Sequence, residues 1–281
     1  MNQPGDGDLR VRTRRALLDA LEALSDQLDA LVVIGAQAIY LHTGEIEVAL
    51  PEETKDADIG IDVGRLQDVP QIEAAIKAAG FRKNLKDPQP GSWLSPDGIP
   101  VDLMVPEALA GPAAPNRRGA RIPPHHKGAT RRATGLEGVV IDNEAQEIGA
   151  LEPGDDRVFT VRVAGPAALL VAKLHKIGER HEQGGKRLRD KDAHDIYRLL
   201  VAIDTEDLAG RMSSLRREEL SSEVAEQALD YLAELFAKAG SVGSEMAGRA
   251  EEGVGEPEIV AASVSVLAND LLATAGAKRN R

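Results

Sequence analysis

Polar and apolar positions alternate almost strictly in "TKDADIGID", residues 54–62: Asp56, Asp58 and Asp62 fall on one side, Ala57, Ile59 and Ile61 on the other. A period of two predicts a strand over 56–63 with one buried face. The continuous apolar run "LVVIG", 31–35, predicts a short buried strand, and "AQAIYLHTG" a helix ending at Gly44. Leu17, Leu18, Leu21, Leu24 and Leu28 recur at helical spacing and predict a helix over 9–29; Ile72, Ala75, Ile76 and Ala79 predict another over 66–80. "IPVDLMVP", 99–106, reads as a third strand, after the turn-rich "DPQPGSWLSPDG". Pro112, Pro115, Pro123 and Pro124 mark 107–135 as a long loop, and short strands are expected at 138–142 and 158–163.

The pattern changes after Gly165-Pro166. "AALLVAKLHKIGERHEQ" and "KRLRDKDAHDIYRLLVAI" are amphipathic helices joined at Gly184-Gly185, and further helices follow to about 275. The expected architecture is an α/β lobe, 1–164, followed by a helical lobe, 165–281, with no internal repeat.

Composition narrows the classes. The 281 residues include no cysteine, which excludes disulfides and thiolate metal sites. No stretch approaches about 18 consecutive apolar residues, so no membrane span is expected. "MNQPGDGDLRVRTRR" has no apolar signal core, which points to the cytoplasm. With three Phe, three Tyr and the single Trp93, the core must be mostly aliphatic. A net charge of −12 argues against nucleic-acid binding over the whole surface. The charge is uneven, however. Between Ala108 and Leu136 there is no acid, but there are Arg117, Arg118, Arg121, Lys127, Arg131, Arg132 and His125–His126; a second basic stretch runs from Lys173 to Lys191. Either could hold a polyanion locally.

Three features carry candidate chemistry. Asp56 and Asp58 share one side of a strand, with Cα atoms about 7 Å apart, and repel unless water screens them or a divalent cation bridges them. Asp102 is an acid inside the apolar "VDLMV". On adjacent strands the three carboxylates would suit two Mg²⁺ ions about 3.5–4 Å apart, as in phosphoryl transfer; the alternative is three ordinary acids at strand ends. Gly35 lies where a strand runs into a helix, a geometry that suits a triphosphate, though glycine also serves such turns for backbone reasons alone. Lys173, Lys176 and Arg180 share a helix face, opposite candidate partners Asp192 and Asp195. That face is either a solvated stripe paired to a neighbouring helix or a cationic site; Lys173 follows an apolar run, and a buried lysine needs an anion. The six histidines include no H-E-x-x-H, and "GGK" at 184–186 lacks P-loop spacing and reads as a linker.

The order of these pieces resembles the AbiEii/AbiGii-type nucleotidyltransferases of the DNA polymerase β-like superfamily, including the MenT-like toxins. The motifs are strand-Gly-helix at Gly35, T-x-D-x-D at Thr54, the strand acid Asp102, K-x-x-K-x-x-x-R from Lys173, and K-D-x-x-D with Asp192 and Asp195. The resemblance covers about 30–200 and implies a bilobed α/β fold, a mixed sheet with helices plus a C-terminal helical lobe. It implies metal binding (Mg²⁺ or Mn²⁺) by Asp56 and Asp58 with Asp102 completing the site. Gly35, Thr54, Lys173, Lys176, Arg180 and Asp192 would serve an NTP, and Lys173 and Asp195 would belong to the catalytic set. It further implies a tRNA acceptor and a toxin role beside an antitoxin protein. The chain departs from the family at Gly35-Ala36, often Gly-Gly or Gly-Ser, and at Glu52 and Glu53, near which an arginine is common. A small-molecule or protein nucleotidyltransferase, or a non-catalytic regulatory protein on the same scaffold, are the rival readings.

Overall fold

Four apolar residues at Leu31–Ile34, all buried, form β1 in the interior of a mixed sheet. A strand covered on both faces has no polar side to show, which is why its sequence does not alternate. The computed structural model describes residues 6–44, 55–112 and 118–276; Thr54 and Arg117 lie outside them. Helix α1 (Asp6–Ala23) is followed by a 3-10 turn at Ser25–Ala30, then β1 and α2 (Gly35–Thr43). Next come β2 (Ala57–Ile61), α3 (Ile72–Ala78), β3 (Arg82–Lys83), β4 (Ser92–Leu94), β5 (Pro100–Pro106), β6 (Arg131–Ala133), β7 (Asn143–Gly149) and β8 (Val158–Ala164). The protein is therefore an α/β protein with an eight-stranded mixed sheet, ordered β3-β4-β5-β2-β1-β8-β7, with β6 also on β5. β1 runs antiparallel to β2 and parallel to β8, and β2 runs parallel to β5.

Helices α4 (Pro166–Glu182), α5 (Asp190–Ala202), α6 (Thr205–Arg217), α7 (Ser222–Phe236), α8 (Val242–Arg249) and α9 (Pro257–Thr274) complete the described chain. Two compact units result. One holds Met1–Ala38 and Glu53–Ala164; the other holds Ile39–Glu52 and Gly165–Arg281. Among the described residues the helical unit thus takes 39–44, a segment that the sequence pattern assigns to the α/β part. Within it, Arg198 on α5 donates to Thr43 Oγ1 and to the Gly44 carbonyl, each at 3.1 Å, and its guanidinium lies 5.4 Å from the Tyr40 ring. No helix among the described residues is long and apolar enough to cross a membrane.

Three expected elements differ. The helix expected over 66–80 starts only at Ile72. Upstream, the Gln27 side chain bonds Gln67 N, Gln67 O and Pro70 O, each at 2.9 Å, and Pro70 has no N–H to give a helix. The helix expected over 9–29 ends at Ala23 and continues as the 3-10 turn. The strand expected at 138–142 is a 3-10 turn at Glu137–Val140; Val139 is buried there, and the strand begins at Asn143, whose side chain donates to Val139 O at 2.8 Å.

Candidate functional site

Asp58 of β2 and Asp102 of β5 are register partners on parallel neighbouring strands. Their backbones are therefore about 5 Å apart with side chains on the same face. On its other side, Asp58 pairs with Ile34, the last residue of β1. The chain then turns at Gly35, with φ at +70°, into α2. A Cβ on Gly35 would collide with the Asp58 carboxylate and lie 2.9 Å from Asp58 Cβ. Glycine is thus required twice, by its left-handed backbone and by the acid packed on it. The first backbone N–H groups of a helix have no intrahelical partner and favour anions, so α2 begins beside an acid with its donor end.

Asp56 lies just before β2 and is half-buried. Its charge reaches Asp102. Burial pushes the Asp102 carboxyl above the usual carboxylate range, the Arg131 guanidinium opposes that rise, and Asp56 adds to it. Arg131 on β6 is its ion-pair partner, with Nη1 2.8 Å from Asp102 Oδ2, and the side chain of Ser92, its register partner on β4, also hydrogen-bonds the acid. The second oxygen, Oδ1, is buried without a hydrogen-bond partner. Asp62, which alternation groups with Asp56 and Asp58, serves another purpose. It follows β2, accepts from Gly64 N at 3.0 Å and pairs with Arg162 of β8 at 3.1 Å, tying strand ends together.

Hard carboxylate oxygens suit Mg²⁺ or Mn²⁺, and an orphaned buried Oδ1 is the kind of atom a cation satisfies. Asp56, Asp58 and Asp102 thus offer the donor type that a divalent ion takes. The nest itself is not assembled: among the described residues, no group of three or more His, Asp or Glu side chains is arranged to hold a metal ion. Arg131 occupies one oxygen of the third acid.

The helical unit contains the second cluster. Lys173 on α4 is buried, with Nζ 2.6 Å from Asp195 Oδ2 and 3.1 Å from Asp192 Oδ1 on α5. Burial acts to lower its pKa, but the Asp195 and Asp192 carboxylates outweigh it and hold the ammonium charged, well above the usual lysine value. Asp192, fully buried, also meets Lys176 and Arg180, each at 2.9 Å. Burial would raise its carboxyl; Lys173 first and Lys176 next reverse that, and it lies well below the ordinary range. The shared face of Lys173, Lys176 and Arg180 thus closes on the helix acids. Lys176 is the most exposed of the three, at 40%.

Much of the basic stretch is engaged internally. Arg132 pairs with Glu107 at 2.7 Å and donates to the carbonyls of Ala110, Gly111 and Pro112. His125 is buried, and its Nδ1 accepts from Ile72 N at the start of α3. Arg118, Arg121 and Lys127 remain exposed. Trp93 is fully buried and donates from Nε1 to Ala129 O at 3.0 Å, so it anchors the stretch. Sequence reasoning missed Arg131 as the partner of Asp102. The signal was an arginine at the end of an acid-free segment, and only strand pairing assigns it. No protein-family model, no curated protein and no solved structure matches this chain.

Proposed function

We propose that the chain is a metal-dependent nucleotidyltransferase on a bilobed, polymerase-β-like scaffold, transferring a nucleotide from an NTP to an acceptor hydroxyl with release of pyrophosphate. The observation that carries this reading is the in-register pair Asp58–Asp102, with Gly35 and the first turn of α2 packed against Asp58. Asp56, Asp58 and Asp102 would hold Mg²⁺ or Mn²⁺. When bound, such an ion supplies charge neutralisation and orients the triphosphate. The opening N–H groups of α2 bind phosphate oxygens. Asp102, its carboxyl raised by burial, would take the acceptor's proton. The commitment of Lys173 to Asp195 and Asp192 makes it an organiser of α4 and α5, and Lys176 and Arg180 join it there through Asp192.

A tRNA acceptor and a toxin role with a cognate antitoxin rest on the family resemblance alone. A small-molecule acceptor gains from one observation: Arg131 and Arg132 are engaged internally, which reduces the surface offered to a polyanion. The test is incubation of the protein with each α-labelled NTP and divalent ion, with and without total tRNA, alongside Asp58→Asn. Label on an acceptor that disappears in the variant supports the reading. Transfer undiminished in Asp58→Asn, or absent with every NTP and acceptor, overturns it.

A further inference from the structure

One end of the sheet is an open edge. β7 closes the strand order there, and among the described residues it pairs with β8 alone, antiparallel along Asn143–Gly149. In such a ladder, opposed residues alternate between pairs that exchange both backbone bonds and pairs that exchange none. Ala150 N donates to Arg157 O at 3.0 Å, one step beyond the register pair Gly149 and Val158. Counting back by alternation, Ile148, Gln146 and Glu144 bond to β8, whereas Gly149, Glu147 and Ala145 turn their N–H and C=O groups away from it. Gly149 bears this out, since its carbonyl accepts from Arg14 Nη1 of α1 at 2.9 Å, from outside the ladder. Ala145 and Glu147 are exposed, and among the described residues nothing bonds their outward backbone groups.

The edge carries charge of one sign. From Gly138 to Asp156 the sequence has no lysine, arginine or histidine. Glu144 and Glu147 lie on opposite faces of β7, both are exposed, and neither meets a cation among the described residues. Edge strands commonly carry charges that discourage pairing with other chains. Charge of a single sign makes that exclusion selective. A second copy would bring acids to acids, and like charges across a strand pair destabilise it, whereas opposite charges stabilise it.

We propose that the outer edge of β7 is a docking edge for an extended segment of a partner protein that carries lysine or arginine, added to the sheet as a further strand. The inference stands apart from the transfer reaction. The outward N–H and C=O groups of Ala145 and Glu147 supply the main-chain bonds of strand addition, and side chains supply the selectivity. A basic residue opposite Glu147 meets it on one face of the sheet, and the next position along meets Glu144 on the other. Arg14 on the Gly149 carbonyl marks where the free edge stops.

The experiment titrates the ¹⁵N-labelled full chain with a synthetic peptide of alternating Lys and Val, and with its Glu–Val counterpart. Wild type, Ala145→Pro and Glu144→Lys/Glu147→Lys are compared after thermal melting verifies folding. The Lys–Val peptide should bind wild type about tenfold more tightly than the Glu–Val peptide, and less tightly as salt rises. It should slow hydrogen exchange of the Ala145 and Glu147 amides and leave Gln146, already bonded to β8, unchanged. Ala145→Pro removes an outward N–H and no ladder bond, a place where an edge strand tolerates proline, and should abolish the binding. Glu144→Lys/Glu147→Lys should reverse the peptide preference, which keeps the test intact should Ala145→Pro unfold. No binding of the Lys–Val peptide to wild type, binding without protection of Ala145 and Glu147, or an unchanged preference in the charge-reversed variant overturns the proposal.

Discussion

Lys173 and Asp195 form a buried ion pair, Nζ to Oδ2 at 2.6 Å, across helices α4 and α5. Removing the lysine leaves Asp195 and Asp192 buried with less positive charge. Breaking such a pair from one side costs about 3–5 kcal/mol. Lys173→Met should therefore lower unfolding free energy by an amount of that order, read from urea melts. A variant as stable as wild type that has lost NTP binding would return Lys173 to the nucleotide, the role the resemblance implies.

Acid should weaken the same cluster through Asp192. Its carboxyl is depressed in the fold because Lys173 and Lys176 outweigh burial. A depressed carboxyl contributes stability that is fully present above its unfolded value, about 3.9, and is lost as pH falls below that toward the folded value. Asp192→Asn should lower stability at neutral pH and flatten the loss of stability below about pH 4. Urea melts from pH 7 to 2.5 decide it: an unchanged acid limb would assign that limb to other carboxylates.

Gly35→Ala should damage the α/β unit where Ala36→Ser does not. The first change forces a Cβ into the Asp58 carboxylate at φ +70°. Strained backbone of this kind costs about 1–3 kcal/mol. We expect a lower melting temperature and lost transfer. Ala36→Ser adds a hydroxyl to the first turn of α2 and should lower KM for the NTP with stability unchanged. Equal behaviour of the two variants in melting and kinetics would remove Gly35 from the site.

The basic stretch divides by exposure. Arg118→Ala/Arg121→Ala/Lys127→Ala removes three exposed cations and should reduce the salt slope of tRNA binding by about 3 if each meets a phosphate. Its stability should stay within about 0.5 kcal/mol of wild type. Arg132→Ala should do the reverse, losing stability because Glu107 and three carbonyls lose their donor. A salt titration of tRNA affinity and a urea melt on both proteins separate the two; a flat wild-type slope removes tRNA as acceptor.

The strands carrying the acids were legible because burial writes itself into alternation. Ile59 and Ile61 face inward around Asp58, as Val101 and Leu103 do around Asp102. That these strands are neighbours, and that the two acids are register partners, is a property of pairing across the sheet and leaves no local trace. β3, β4 and β6 have two or three residues each, too few to show a period. The partnership of Arg131 with Asp102 was hidden for the same reason. β7 was misplaced because only Ile148 of its residues is buried, while the apolar Val139-Val140-Ile141 just before it mimicked a strand. The helix acids were legible from spacing, but their roles were not: three cations converge on Asp192, and spacing does not measure how deeply a pair is buried.

The assignment of 39–44 to the helical unit has a consequence for how the protein is made. Arg198 meets Thr43 across 155 residues of chain. A nascent polypeptide emerging N-terminus first holds one piece of the helical unit while the sheet is still being synthesised. That piece can join its unit only once α5 has emerged, and closing so long a loop carries an entropic cost that the local contacts of the helices do not. A protease cut or gene split at 164 would leave the C-terminal fragment without Tyr40 and Thr43, and the buried Arg198 guanidinium without those acceptors. The two units are therefore not two consecutive beads on a string, and a clean exchange of the helical part between related chains would have to carry 39–44 along with it.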